Sequence, residues 1–136
     1  YNPDSGWREY SMPRDHEGQF LIGILDVKIT KDHAVWVIAA YGDGKTAISS
    51  KVVYQLVGES WQSVRVTNQF AVQKLLFKAD GQPILWENQQ LLRYDPTIPT
   101  WVQLTNAEIK AAAADSEGGI WAVTENLREL TVWYQP

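Results

Sequence analysis

A histidine between carboxylates is a common starting point for proton transfer or metal binding, and the chain offers one: Asp15-His16-Glu17. The second histidine, His33, follows Asp32. Two histidines without HExxH-type spacing are a thin basis for a metal site. Asp15, His16 and Glu17 therefore read as a polar loop surface for a partner, with no metal and no cofactor expected. Gly42-Asp43-Gly44-Lys45 sets a lysine behind glycines, but at the wrong spacing for a phosphate-cradling loop. Asp43 and Lys45 stand as further surface candidates. No GxSxG elbow or dinucleotide fingerprint occurs, so no catalytic residue is assigned. With no cysteine, disulfides, thiolate nucleophiles and thiolate metal sites are excluded.

Aspartates and tryptophans recur instead. Asp32 precedes Trp36, Asp80 precedes Trp86, and Asp115 opens Asp115-Ser116-Glu117-Gly118-Gly119-Ile120-Trp121. Carboxylates at one recurring position would form a ring of ligands around a pore. An aspartate in a glycine turn more simply accepts hydrogen bonds from the turn amides, and the recurrence with glycine favours that structural role. Trp36, Trp86 and Trp121 then lie on the strand after each turn, where flat side chains fill the wedge between neighbouring sheets. Trp7, Trp61 and Trp101 each open an outer strand after a turn and are candidates for greater exposure. Exposed aromatic faces stack on sugar rings, so these tryptophans leave a carbohydrate-binding role open.

The elements that position these residues read as strands. The 136-residue chain has seven Trp and six Tyr against one Met, with 45% apolar and 21% charged residues, the balance of an ordered globular domain. Ala34–Tyr41 is apolar on both faces, as in a covered central strand. Thr46–Leu56 and Trp61–Val66 alternate, and Gly42-Asp43-Gly44 and Gly58-Glu59-Ser60 supply turns. Ser11–Gly18 is polar and reads as a loop. Asn106–Ala114 has high helix propensity with a capping Asn106. Its place after an outer strand favours a strand there.

Forty residues separate Trp61 from Trp101 and 54 separate Trp7 from Trp61. Periods near 40 with four short strands each are the mark of β-propeller blades. The expectation is an all-β propeller of four-stranded antiparallel blades, about three per chain: 20–66, 70–105 and 108–136. Tyr134-Gln135-Pro136 matches Tyr94-Asp95-Pro96 and Tyr1-Asn2-Pro3. On that match, strand 1–10 completes the last blade of a neighbouring chain and removes an open edge. Three blades do not close a ring. The partner expected first is a second copy, two chains giving six blades or three giving nine. A longer propeller is the alternative.

Ile109–Thr124, with Asp115-Ser116-Glu117-Gly118-Gly119-Ile120-Trp121 at its centre and Leu91-Leu92-Arg93-Tyr94-Asp95 as a later portion, resembles the propeller repeats in sensor regions of bacterial two-component regulators. The resemblance is strongest in the third unit and departs in the first, where His33 replaces glycine. It implies a propeller fold and no particular activity. The function expected is a non-catalytic binding or scaffold module. A carbohydrate-binding lectin is the alternative, and a propeller-type hydrolase or lyase the second. Net charge is −4 and basic residues are dispersed, so no nucleic-acid footprint is present. No apolar run reaches membrane-spanning length. A soluble chain is expected, with its compartment open.

Overall fold

A computed structural model of the chain describes residues 9–44, 47–68, 72–126 and 129–135. Lys45, Trp7 and most of the 1–10 strand expectation lie outside them. The described residues form an all-β structure without helix. Twelve strands run in order: β1 (Asp15–His16), β2 (Gln19–Ile29), β3 (Val35–Gly42), β4 (Ile48–Val57), β5 (Ser60–Asn68), β6 (Val72–Phe77), β7 (Pro83–Glu87), β8 (Gln90–Asp95), β9 (Thr100–Gln103), β10 (Ile109–Ala114), β11 (Ile120–Asn126) and β12 (Glu129–Gln135). They make three antiparallel meanders, β1–β5, β6–β9 and β10–β12, each pairing sequence neighbours only. One sheet curls into half a barrel.

Local chemistry explains the hairpins. Glu17 and Gly18, and likewise Asn88 and Gln89, both take positive φ between directly paired residues. That is the type I′ geometry whose twist matches that of the flanking strands. The first hairpin corrects the loop expected over Ser11–Gly18, because Asp15 and His16 pair with Phe20 and Gln19. The alanine-rich Ile109–Ala114 segment is a strand. Pairing with β11 and burial of Ile109 and Ala112 against the second sheet outweigh its helix propensity.

The same turn joins the first two long strands of every sheet. Thr30 N–H donates to Ala34 O and His33 N–H to Thr30 O. Lys78–Gln82 with Gly81, and Asp115–Gly119 with Gly118, repeat both bonds. The second donor sits at positive φ each time, 66° at His33, 83° at Gly81 and 85° at Gly118. The preceding strand also carries a register shift at one fixed distance before the turn, between Ile24/Asp26, Val72/Lys74 and Ile109/Ala111. Such bulges bend a strand and increase its twist.

The sheets stack face on face. Leu75, Leu85 and Leu92 of the second sheet pack on Trp36, Ile38 and Val53 of the first. From its opposite face Leu76, Ile84 and Leu91 meet Ile109, Ala112, Ile120 and Ala122 of the third. Alternation along each strand therefore fills two cores from one sheet. The first long strands β2, β6 and β10 are successive neighbours. The second sheet thus has a forward face toward the third and a back face toward the first, and the corresponding faces of the outer sheets are named in the same way.

Candidate docking faces

The turn hydrogen bonds fix which residues correspond. Asp32 and Asp80 share one position, but Asp115 stands two residues earlier, where the other sheets have Thr30 and Lys78. The expectation of one recurring aspartate position is corrected accordingly. All three carboxylates are engaged locally. Asp32 accepts from the Thr30 hydroxyl, and Asp80 from Gln82 N–H at 2.9 Å. Asp115 accepts from the amides of Glu117 and Gly119 at 2.9 and 2.8 Å and from the Trp121 indole at 2.9 Å. The indole bond and then the turn amides hold the Asp115 carboxyl below its ordinary range.

Trp36 and Trp121 correspond, whereas Trp86 lies two residues further on, with Ile84 in their place. All three occupy forward faces. Trp36 is 3% exposed and lies edge-on to Phe77 and Tyr94 of the second sheet. Trp86 is half-buried and donates to Ile109 O of the third sheet. Trp121 is 44% exposed, so the wedge-filling role expected for it is not what is seen: its ring lies against its own sheet's Tyr134, centroids 4.6 Å apart, and its indole bonds Asp115. Val132, beside it on β12, is also exposed.

The back face of the first sheet is open along β2. Val27 and Ile29 correspond to Leu75 and Phe77, counted from the shared turn. Leu75 is fully buried and Phe77 half-buried against Trp36. Val27 and Ile29 are 53% and 66% exposed. The middle of that face is covered: Ala39, Tyr41, Val52 and Tyr54 lie under Met12, Leu21 and Trp61. Tyr41 donates to Pro13 O at 2.9 Å and lies 3.0 Å from the Tyr54 hydroxyl. Burial, and then that hydroxyl, push the Tyr41 phenol well above its ordinary value.

Trp61 and Trp101 are half-buried and reach backwards. Trp101 Nε1–H donates to Val64 O of the first sheet at 3.3 Å, and its ring lies 5.2 Å from Tyr94. Trp61 Nε1–H donates to Tyr10 O at 3.4 Å. Between the second and third sheets lies a cavity of about 270 Å³, lined by Leu91, Leu104, Ile120, Ala122, Trp133 and Gln135 among others. Trp133, 57% exposed, reaches Thr124 Oγ1 at 3.1 Å.

The polar candidates do not converge into one site. His16 packs its ring on Tyr41 at 5.6 Å, while its strand and turn neighbours Asp15 and Glu17 stay exposed. Asp43 is exposed on the turn after β3, and His33 on the turn after β2. Among the described residues no group of three or more His, Asp or Glu side chains is placed to hold a metal ion. Among them no helix is long and apolar enough to cross a membrane. The matching apolar faces were missed in the sequence because periodicity marks a strand as apolar without saying what covers it. No family model matches the chain, and no curated protein and no solved structure shows significant similarity to it.

Proposed function

We propose that the chain is a non-catalytic scaffold and binding module, an arc of a β-propeller completed head to tail by a second copy. One observation carries this reading. The forward face of the third sheet and the back face of the first expose residues whose counterparts between sheets are buried. Head to tail, Trp121 and Tyr134 of one copy meet Val27 and Ile29 of the next, as Trp36 meets Leu75 and Phe77 within the chain. The resemblance to propeller repeats of bacterial two-component sensor regions supports the same reading. Contiguous exposed apolar surface of this kind marks an association site, and head-to-tail contacts close into rings.

Ile29→Asp and Trp121→Asp test it. Each variant alone should sediment as a monomer while keeping its β-sheet circular dichroism. An equimolar mixture should form pairs, because one unaltered interface remains between the two variants. Unchanged mass in both variants, or no pairing on mixing, would sink the head-to-tail arrangement. A second reading, carbohydrate binding, is favoured by the exposed aromatic rings of Trp121, Trp133 and Tyr134. It requires glycan binding that disappears in Trp133→Ala.

A further inference from the structure

The cavity between the second and third sheets has the walls of a place that is filled elsewhere in the molecule. Between the first and second sheets, Trp101 packs into the cluster containing Val53, Val64, Leu85, Leu92 and Tyr94. The ladder registers give the counterpart of each wall. Leu85 pairs with Leu92 as Ala122 pairs with Trp133. Val53 and Leu91 pair with corresponding residues of β3 and β7. Val64 and Leu104 each lie three residues after an outer-strand tryptophan, Trp61 and Trp101. Tyr94 and Gln135 each follow corresponding residues, Arg93 and Tyr134. Ala122, Trp133, Leu91, Leu104 and Gln135 all line the cavity. Among the described residues, what it lacks is an outer-strand indole in the place that Trp101 takes in the first cleft.

The chain also carries a tryptophan whose place is marked by its neighbours. Trp61 donates to Tyr10 O as Trp101 donates to Val64 O. Tyr10 follows Trp7 by three residues, as Val64 follows Trp61. Tyr10 therefore holds the position of an outer-strand residue in a sheet that precedes the first. On the head-to-tail reading, that preceding sheet is the third sheet of another copy. An outer-strand tryptophan on it faces back into the cleft between that copy's second and third sheets.

We infer that the cleft lined by Leu91, Leu104, Ala122, Trp133 and Gln135 is the receptor for the Trp7 indole of a second copy, with Leu104 O accepting its N–H. This inference rests on the head-to-tail reading and adds to it the strand and side chain that lock the contact. The space suffices, since a cavity of about 150 Å³ already accommodates a benzene ring, against about 270 Å³ here. Both ingredients of the Trp101 contact are then reproduced between copies: an apolar slot, and a carbonyl for the indole proton.

The test uses the full-length Trp7→Ala chain and a fluorescein-labelled peptide of residues 1–10, read by anisotropy. The Trp7→Ala chain should associate at least about thirtyfold more weakly than the unaltered chain, the loss typical of a central tryptophan. The peptide should bind the Trp7→Ala chain, and the same peptide with alanine for Trp7 should bind at least about thirtyfold more weakly. Ala122→Phe in the chain, which fills the slot, should abolish peptide binding. Equal binding of the two peptides, or association of Trp7→Ala at unaltered strength, would overturn the receptor assignment alone. A monomeric unaltered chain would count instead against the head-to-tail reading, and so remove the second copy as the source of the strand.

Discussion

Two clefts in this molecule share one construction and differ in what fills them. The cleft between the first and second sheets buries Trp36, and Trp101 packs into it from the outer strand. The cleft between the second and third sheets has the same turn, the same bulge position and the same ladder register, yet holds a cavity. Trp36 and Trp121 make the same point on the forward faces. Their backbone surroundings match, and exposure changes from 3% to 44%. Local sequence builds the sheet and its apolar face. Whether that face is core or surface depends on what stands opposite. Exposure at the two outer faces is what the proposed head-to-tail contact would cover.

Substitution of the paired tryptophans breaks the comparison most strongly. Trp36→Ala should cost about 3–5 kcal/mol of folding stability, the range for emptying a large buried aromatic site. Trp121→Ala should cost less than about 1 kcal/mol in dilute chain, where half its ring already faces water. Urea denaturation at low protein concentration measures both, and equal costs would erase the distinction between the faces.

The turn that sets the second and third sheets together comes next. Gly118 has φ +85°, and a Cβ there would overlap the backbone of Ala79. Gly118→Ala should destabilise by roughly 1–3 kcal/mol through backbone strain, with more where Ala79 cannot shift. Gly58 also has positive φ but has open space around it. Gly58→Ala should therefore lose only the strain, giving a smaller shift of the urea midpoint.

The smallest effect is acidic. Asp115 has its carboxyl held low in the folded chain, chiefly by the Trp121 indole. Its contribution is present above the ordinary carboxylate range near pH 4 and is lost as pH falls through the lowered folded value. Trp121 emission should change in that acid window and not between pH 5 and 8. Asp115→Asn should remove the change. An acid transition identical in Asp115→Asn would assign it to another group.

The sequence made the strands, the meander order and the turns legible, because alternation and Gly-containing punctuation carry direct backbone meaning. Gly81 and Gly118 marked a positive-φ position that His33 shares without glycine. Residue identity misled where it was taken for register. Trp86 looked like Trp36 and sits two residues on, and Asp115 looked like Asp80 and sits two residues earlier. Tyr134 looked like Tyr94 but corresponds to Arg93, so the match between Tyr134-Gln135-Pro136 and Tyr94-Asp95-Pro96 is out of step by one position. That slip matters physically, because one residue moves a side chain to the opposite face of the sheet. Tyr94 packs back toward Trp36, while Tyr134 shares the forward face with Trp121. The recurring bulge was not legible at all. Its extra residues, Leu25, Gln73 and Lys110, have no side-chain property in common.

The mass of the unaltered 136-residue chain in solution, by sedimentation equilibrium across a range of concentrations, tests the central claim most directly. Head-to-tail completion predicts a folded assembly at two or three times 15.5 kDa. A folded, concentration-independent monomer of 15.5 kDa, with Trp121 still in water, would contradict it.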